Sequence, residues 1–126
     1  MTITNNKIIL YANNKIDLPF AVTDANNGDA AYDFTNKTVK FAMSKLNAAG
    51  VYSSTAALEK SSDGADVNIT LPIDTSGEVT VTLYNGDTAN FLGEYAWQLE
   101  VYDLSGSAYV VADGVIEFKR NITETV

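Results

Sequence analysis

Residues 93–115 of this chain, GEYAWQLEVYDLSGSAYVVADGV, constrain the fold more than any other segment. Large apolar and aromatic side chains occupy every second position of the first half: Tyr95, Trp97, Leu99 and Val101. A strict period of two is typical of a strand with one buried face. Residues 103–106, DLSG, then separate this run from a second apolar run. The segment therefore predicts a β-hairpin with one face in a hydrophobic core.

Length and composition favour one compact domain with restricted chemistry. The 126 residues suit a single domain. A chain of this size buries roughly two-thirds of its unfolded surface, which is enough for a core without crosslinks. The chain contains no cysteine and no histidine. Disulfides and thiolate metal sites are therefore excluded, and the commonest general base and metal ligand are missing.

The net charge is −8, from sixteen acidic and eight basic residues. An acidic surface repels phosphate backbones, and the lysines are too scattered to form a basic patch. No apolar run approaches the length of a membrane-spanning helix. We therefore expect neither nucleic-acid binding nor membrane insertion. The opening residues lack the features of a signal peptide, which predicts a protein made in the cytoplasm.

Four further runs repeat the alternation between polar turns, at 16–22, 38–44, 67–73 and 79–83. Pro19 lies inside the first run, which places that run at a sheet edge or a bulge. Residues 55–60 fit either a short strand or one helical turn. No segment has a sustained helical period, so we expect little helix. The chain is predicted to be all-β, an immunoglobulin-like antiparallel β-sandwich of about seven to nine strands.

The aromatic residues support one core prediction and one surface prediction. Trp97 shares its strand face with Tyr95 and Leu99, so we predict that it packs in the core and is not an exposed platform for a sugar ring. Three other tyrosines are candidates for a contact surface, because tyrosine contributes a large amphipathic area: Tyr84, Tyr102 and Tyr109. The alternative is that these tyrosines are simply scattered and half-buried.

The acidic loop at 24–29, DANNGD, has oxygen-bearing side chains at several positions, as calcium loops do. It lacks the glutamate that closes an EF-hand loop, since Thr35 stands at the twelfth position from Asp24. Asparagine, aspartate and glycine are also the ordinary residues of turns. We predict a turn here, with ion binding left open, and we expect no metal and no cofactor in the protein.

The sequence shows no constellation of catalytic residues. It has no GxSxG elbow, no P-loop and no dinucleotide fingerprint. Glu94 and Glu100 share a strand face, but six residues of strand separate them by about 20 Å, too far for a glycosidase pair. We therefore predict that the protein is not an enzyme.

The order of strands and turns resembles the N-terminal domain family of phage baseplate upper proteins. Five segments carry the resemblance: 18–28 (LPFAVTDANNG), 32–43 (YDFTNKTVKFAM), 93–95 (GEY), 103–106 (DLSG) and 114–118 (GVIEF). Asn36 stands where the family usually has glycine. The resemblance covers residues from about 15 to 120, and it implies a small immunoglobulin-like domain of a tailed-phage virion.

The resemblance also implies a non-enzymatic structural role. The expected protein is a baseplate, tail or neck component that docks to other virion proteins and forms a homo-oligomer or symmetric assembly. Its expected location is the virion, after synthesis in the bacterial host cytoplasm. Two alternatives stay open. One is a capsid decoration or head accessory protein. The other is a carbohydrate-binding sandwich that recognises host-surface glycans through exposed aromatics beside acidic or amide groups.

Residues 1–14 are predicted to form an N-terminal arm that precedes a sandwich domain at 15–126. The arm contains a short apolar run: Ile8, Ile9, Leu10 and Tyr11. This run either adds a strand to the exposed edge of a neighbouring subunit or packs within its own sandwich. Its four residues are further candidates for an interface.

Overall fold

The computed structural model describes residues 2–4, 7–47, 49–63 and 68–120, and these residues are all-β. The eleven strands in this part of the chain are β1 (Thr2–Thr4), β2 (Lys7–Tyr11), β3 (Ile16–Ala21), β4 (Thr23–Asp24), β5 (Ala30–Ala31), β6 (Thr38–Lys45), β7 (Leu58–Ser61), β8 (Ile69–Thr70), β9 (Glu78–Leu83), β10 (Gly93–Tyr102) and β11 (Ala108–Lys119). Single 3-10 turns cover Ala25–Asn27 and Asn85–Thr88. No α-helix occurs within the described ranges.

The strands form a sandwich. One sheet has the order β1-β2-β11-β10-β6-β7, the facing sheet has the order β3-β9-β8, and β4 pairs with β5 in a small ribbon. Seven of the described strands have four or more residues, which agrees with the predicted seven to nine. The predicted all-β sandwich is confirmed. One pairing departs from a purely antiparallel arrangement, because β2 runs parallel to β11.

The core lies between the two sheets and takes the alternating residues of each long strand. Tyr95, Trp97, Leu99 and Val101 of β10 are all buried, as predicted. Trp97 is only 8% exposed. Its ring lies 4.7 Å from that of Phe20 in the facing sheet and 6.1 Å from that of Phe41 in the neighbouring strand, measured between ring centroids. Such offset aromatic pairs add to the energy of area burial.

Gly114 makes room for the Trp97 indole. The two residues are direct partners across the β10–β11 ladder. A Cβ atom at position 114 would lie 2.8 Å from Trp97 Nε1 and 2.9 Å from Cε2 and Cζ2, which is closer than van der Waals contact allows. The absence of a side chain at this position therefore lets the indole pack flat against the strand.

The N-terminal segment belongs to the chain's own sheet. Residues 7–11 pair with 115–119 of β11, and β1 pairs with the other side of β2. Ile8 and Leu10 are buried, whereas Ile9 is half-buried and Tyr11 is exposed. Residues 7–11 therefore form an integral strand, which is the second of the two arrangements considered for this run. The prediction of an interface role is wrong for Ile8 and Leu10, because both side chains lie in the core.

Three local predictions can be compared with the strands. Pro19 lies on β3, an edge strand, as expected for a residue without an N–H group. Residues 58–61 form a strand, so the strand interpretation of 55–60 holds from Leu58 onward. The strand predicted at 67–73 is much shorter, because only Ile69–Thr70 pair and Ile73 is 62% exposed. Pro72 ends the run. Val67 lies outside the described residues.

A partly buried ion pair connects the two sheets. Lys60 extends from β7, and its Nζ lies 2.7 Å from Oδ2 of Asp87 in the 3-10 turn that follows β9. The same carboxylate oxygen accepts a hydrogen bond from the Tyr84 backbone N–H at 2.8 Å. Burial by itself raises the pKa of Asp87, but the hydrogen bonds from Lys60 and Tyr84 and the charge of Lys60 outweigh burial and lower it.

We expect Ile8→Ala to lower the free energy of unfolding by about 2–5 kcal/mol, because the change removes buried methyl groups and leaves a cavity in the core. Ile9→Ala is the matched control, since the Ile9 side chain points to the opposite face of the same strand and its loss should cost much less. Chemical denaturation measures both values. Equal losses in the two variants would contradict the placement of β2 in the core.

We expect Lys60→Met to lower the free energy of unfolding at neutral pH by about 1–3 kcal/mol, because it removes the charged donor from the partly buried Asp87 carboxylate. The lowered pKa of Asp87 stabilises the fold above the pKa of the unfolded carboxyl, and this stabilisation is lost as pH falls through the folded pKa. The difference between wild type and variant should therefore shrink in acid.

Denaturation curves at several pH values measure this difference. Lys119→Met is the control, since Lys119 is exposed and has no ion pair within the described residues. A stability difference that stays constant below the pKa of a free aspartate would contradict the proposed role of the ion pair.

Candidate interaction surface

The free end of the β10–β11 hairpin exposes apolar side chains. Leu104 in the connecting loop is 86% exposed, and Tyr109 and Val110 at the start of β11 are 52% and 51% exposed. Single exposed apolar residues are ordinary on protein surfaces, but this hairpin end exposes three. Tyr109 pairs with the inward-facing Val101 and Val110 pairs with Glu100, so the side chains of Tyr109 and Val110 point to opposite faces of β11. We call these three side chains, with the loop at 103–107, the hairpin end.

The loop of the hairpin end is held by one carboxylate. Oδ1 of Asp103 accepts hydrogen bonds from the backbone N–H groups of Ser105 and Ser107 at 2.9 and 3.0 Å, and from the Ser105 hydroxyl at 2.6 Å. Gly106 has φ 86°, a left-handed conformation that suits glycine. The loop is therefore fixed before any partner binds, which reduces the entropy lost on binding.

The side of β11 that faces away from β10 is partly open. Strand β2 covers only residues 115–119, so residues 108–114 have no strand on that side within the described part of the chain. This segment contains no proline and no lysine, and Asp113 is its single charged residue. Charges, proline and short length are the usual protection of strand edges against pairing with other chains.

Other edges of the two sheets carry such protection. The edge strand β7 contains Glu59 and Lys60, β3 contains Pro19, and β1 and β8 have three and two residues. A bulge interrupts the β10–β11 ladder, where Leu99 pairs with Ala112 and Glu100 pairs with Val110. Even with this bulge, residues 108–114 of β11 form an open, largely apolar edge that lacks the charges, the proline or the short length of the other edges.

The predicted contact tyrosines lie in different places. Tyr109 belongs to the hairpin end. Tyr84 is half exposed, but it lies directly after β9 and not on the hairpin. Its ring centroid lies 5.8 Å from Lys60 Nζ. Tyr102 is half-buried beneath Lys40, with its hydroxyl hydrogen-bonded to Glu100. Hydrogen bonding to Glu100 raises the pKa of the Tyr102 hydroxyl. The structure therefore does not bring the three tyrosines together.

Sequence reasoning missed two residues of the hairpin end. Leu104 lies in a turn, where an apolar side chain has no core to pack against. An apolar residue at a turn position could therefore have predicted an exposed contact residue. Val110 lies in a run that alternation assigns to a half-buried strand. Its exposure results from the missing neighbour beside residues 108–114, which the sequence pattern does not reveal.

The acidic loop at 24–29 is a turn. Asp24 Oδ1 accepts a hydrogen bond from the Asn26 backbone N–H at 3.0 Å, and Gly28 follows with φ 64°. No group of three or more acidic, histidine or cysteine residues suitable for a metal ion occurs within the described ranges. The part of the chain that the structure covers also has no helix long and apolar enough to cross a membrane.

A lysine bridges two carboxylates on the outer face of the large sheet. Glu94 and Glu117 are direct cross-strand partners, an arrangement that places like charges together. Lys7 Nζ lies 2.7 Å from the Glu94 carboxylate and 3.4 Å from that of Glu117. These hydrogen bonds raise the pKa of Lys7, with Glu94 the larger influence. The three residues form a half-buried ion network on the outer face of the large sheet.

The chain has distant neighbours among solved structures. No protein-family model and no curated protein sequence matches this chain. The crystal structure of CopC from Methylosinus trichosporium OB3b is similar to it, with a TM-score of 0.43 and 12% sequence identity. The match covers 97% of this chain and 90% of that chain. A likeness this distant supports no argument about function.

We expect the Asp103 carboxyl to titrate below 3.8, the value of a free aspartate, because the Ser105 hydroxyl and then the backbone N–H groups of Ser107 and Ser105 lower its pKa. The loop hydrogen bonds should persist above the pKa of the unfolded chain and weaken as pH falls through the folded pKa. Carboxyl and amide NMR shifts over a pH series measure this. A midpoint at or above 3.8 would contradict the loop geometry.

Proposed function

We propose that this protein is a non-enzymatic structural component of a tailed-phage virion, in the baseplate, tail or neck, and that it docks to other virion proteins. The proposal is supported by the resemblance of residues from about 15 to 120 to the phage baseplate domain family. The described residues offer contact surfaces suited to such a role. A structural subunit needs a stable body and a preformed contact surface, and it needs no catalytic site.

One observation carries the proposal: a rigid hairpin end places three exposed apolar side chains beside an open strand edge. These side chains are Leu104 in the loop and Tyr109 and Val110 on the two faces of β11. Interface cores are enriched in apolar and aromatic residues that a fixed backbone presents to a partner pocket. The Asp103 hydrogen bonds supply that fixed backbone.

Docking would use two kinds of contact. The side chains of Leu104 and Tyr109 would enter an apolar surface of the partner, and the N–H and C=O groups of residues 108–114 would pair with a partner strand. Main-chain pairing gives affinity and the side chains give specificity. In a symmetric particle the same hairpin end would repeat around an axis, so each copy would make the same contact.

The test uses the virus or prophage whose genome carries the gene, with the gene deleted and supplied in trans. We expect the wild-type protein to be present in purified particles, as measured by mass spectrometry. Tyr109→Ser combined with Leu104→Asp should reduce incorporation at least about tenfold, the loss typical of an interface hot spot. The variant should keep the wild-type unfolding temperature, because both side chains are exposed.

Tyr11→Ser is the matched control, since Tyr11 and Tyr109 are both 52% exposed and Tyr11 lies on a different strand. It should be incorporated normally. Absence of the wild-type protein from purified particles would overturn the virion proposal. Normal incorporation of the double variant would overturn the assignment of the hairpin end.

A further inference from the structure

The outer face of the large sheet carries a continuous groove that is separate from the hairpin end. A cavity of about 560 Å³ continues into a second cavity of about 270 Å³. The two share Ala42, Ser54, Ala56 and Gln98. Volumes in this range are typical of small-molecule sites. The groove is thus large enough for a short chain of sugar rings.

The floor of the groove is nearly flat. Ala42 and Ser44 of β6 and Ala96 of β10 alternate along their strands with buried residues such as Met43, so their side chains point away from the core. Because these side chains are small, the surface of the sheet here is recessed relative to the segments on either side. One wall comes from the segment at 52–56, and the other comes from Asp113 and Val115 of β11.

Polar groups line the groove without partners of their own. The side chains of Gln98, Asp113 and Tyr52 make no hydrogen bond and no ion pair within the described residues. Gln98 and Asp113 are directly paired residues of β10 and β11. The amide of Gln98 both donates and accepts, and the carboxylate of Asp113 accepts. Together they fit ligand groups that also do both, such as sugar hydroxyls.

A buried donor with no partner lies beneath the groove, on the core side of the sheet. The Trp97 Nε1 atom is buried and has no hydrogen-bond partner within the part of the chain that the structure describes. The indole lies against Gly114 from the core side, and both residues line the larger cavity.

Tyrosine rings lie at both parts of the groove. Tyr52 lines the larger cavity and Tyr102 lines the smaller one. Both rings are half-buried. An aromatic ring with a polar tip provides an apolar surface together with a hydrogen-bonding group, which suits the alternating CH and OH surfaces of a sugar.

The charge of the groove excludes anionic ligands. Asp113, Glu59 and Glu100 supply three carboxylates, whereas Lys40 supplies one ammonium group, which lies over the Tyr102 ring. The whole chain carries a charge of −8, so nucleic acids and sulfated glycans are repelled. A peptide ligand is less well suited, because the flat floor offers no deep apolar pocket for a side chain.

We propose that this groove binds a neutral oligosaccharide. The CH faces of two or three sugar rings lie on the Ala42 and Ala96 methyl groups and against the Tyr52 ring. Hydroxyl groups donate to Asp113 and exchange hydrogen bonds with Gln98. This site differs from an exposed-tryptophan platform, since the Trp97 side chain is buried on the core side of the sheet.

The experiment is a titration of the isotope-labelled protein with three neutral trisaccharides, cellotriose, maltotriose and tri-N-acetylchitotriose, followed by two-dimensional amide NMR. We expect at least one of them to give saturable shifts at Tyr52, Gln98, Asp113 and Gly114 with millimolar affinity. Gln98→Ala should weaken binding about tenfold by removing a hydrogen-bond partner. Ala96→Leu should abolish binding by filling the groove.

Thr80→Ala is the control, since Thr80 lies in the facing three-stranded sheet and should bind like wild type. The proposal is overturned if none of the three sugars shifts the groove residues at millimolar concentration. It is also overturned if the groove variants bind as tightly as wild type. The Leu104 and Tyr109 variants leave the groove intact, so the virion proposal and this one fail independently.

Discussion

The contact of Phe20, Phe41 and Trp97 across the sandwich is the interaction on which the rest of the structure depends. It joins the facing sheet to β6 and β10, two neighbouring inner strands of the large sheet. The indole occupies the space that Gly114 leaves free, so the register of β11 is set by the position of one ring. A slip of one residue would place a side chain where the indole lies.

The same hairpin has two halves with different physical roles. At its base, away from the loop, the hairpin is covered by β2 on one side and by β6 on the other, and its inward side chains are buried. Residues 108–114, which lie nearer the loop, have no β2 partner, and most of their side chains are exposed or half-buried. A well-packed body therefore holds a projecting end in place. This combination suits a contact surface, because the backbone is ordered before a partner arrives.

The sequence predicted most of the fold and little of the candidate surfaces. Alternation located β3, β6, β9 and the β10–β11 hairpin, because each of them buries one face. It overextended the strand at 67–73, where Pro72 and an exposed Ile73 end the pairing. The alternation of apolar residues shows which face of a strand is buried, but it does not show which strand lies beside it. It therefore left the partner of residues 8–11 undecided and did not reveal the open edge beside Val110. The outer groove could not be predicted from the alternation either, because its walls come from segments that lie far apart in the sequence.

The parallel pairing of β2 with β11 has a consequence for how the protein is made. Residues 7–11 must wait for residues 115–119 before they gain a strand partner on that side. More than a hundred residues separate the two strands, so a growing chain cannot complete this sheet until β11 has left the ribosome. Pairings between distant segments also slow folding, because loop closure costs entropy before any contact forms. Early in synthesis the apolar strand at 8–11 is therefore exposed, and the lysine and asparagines around it keep that nascent segment soluble.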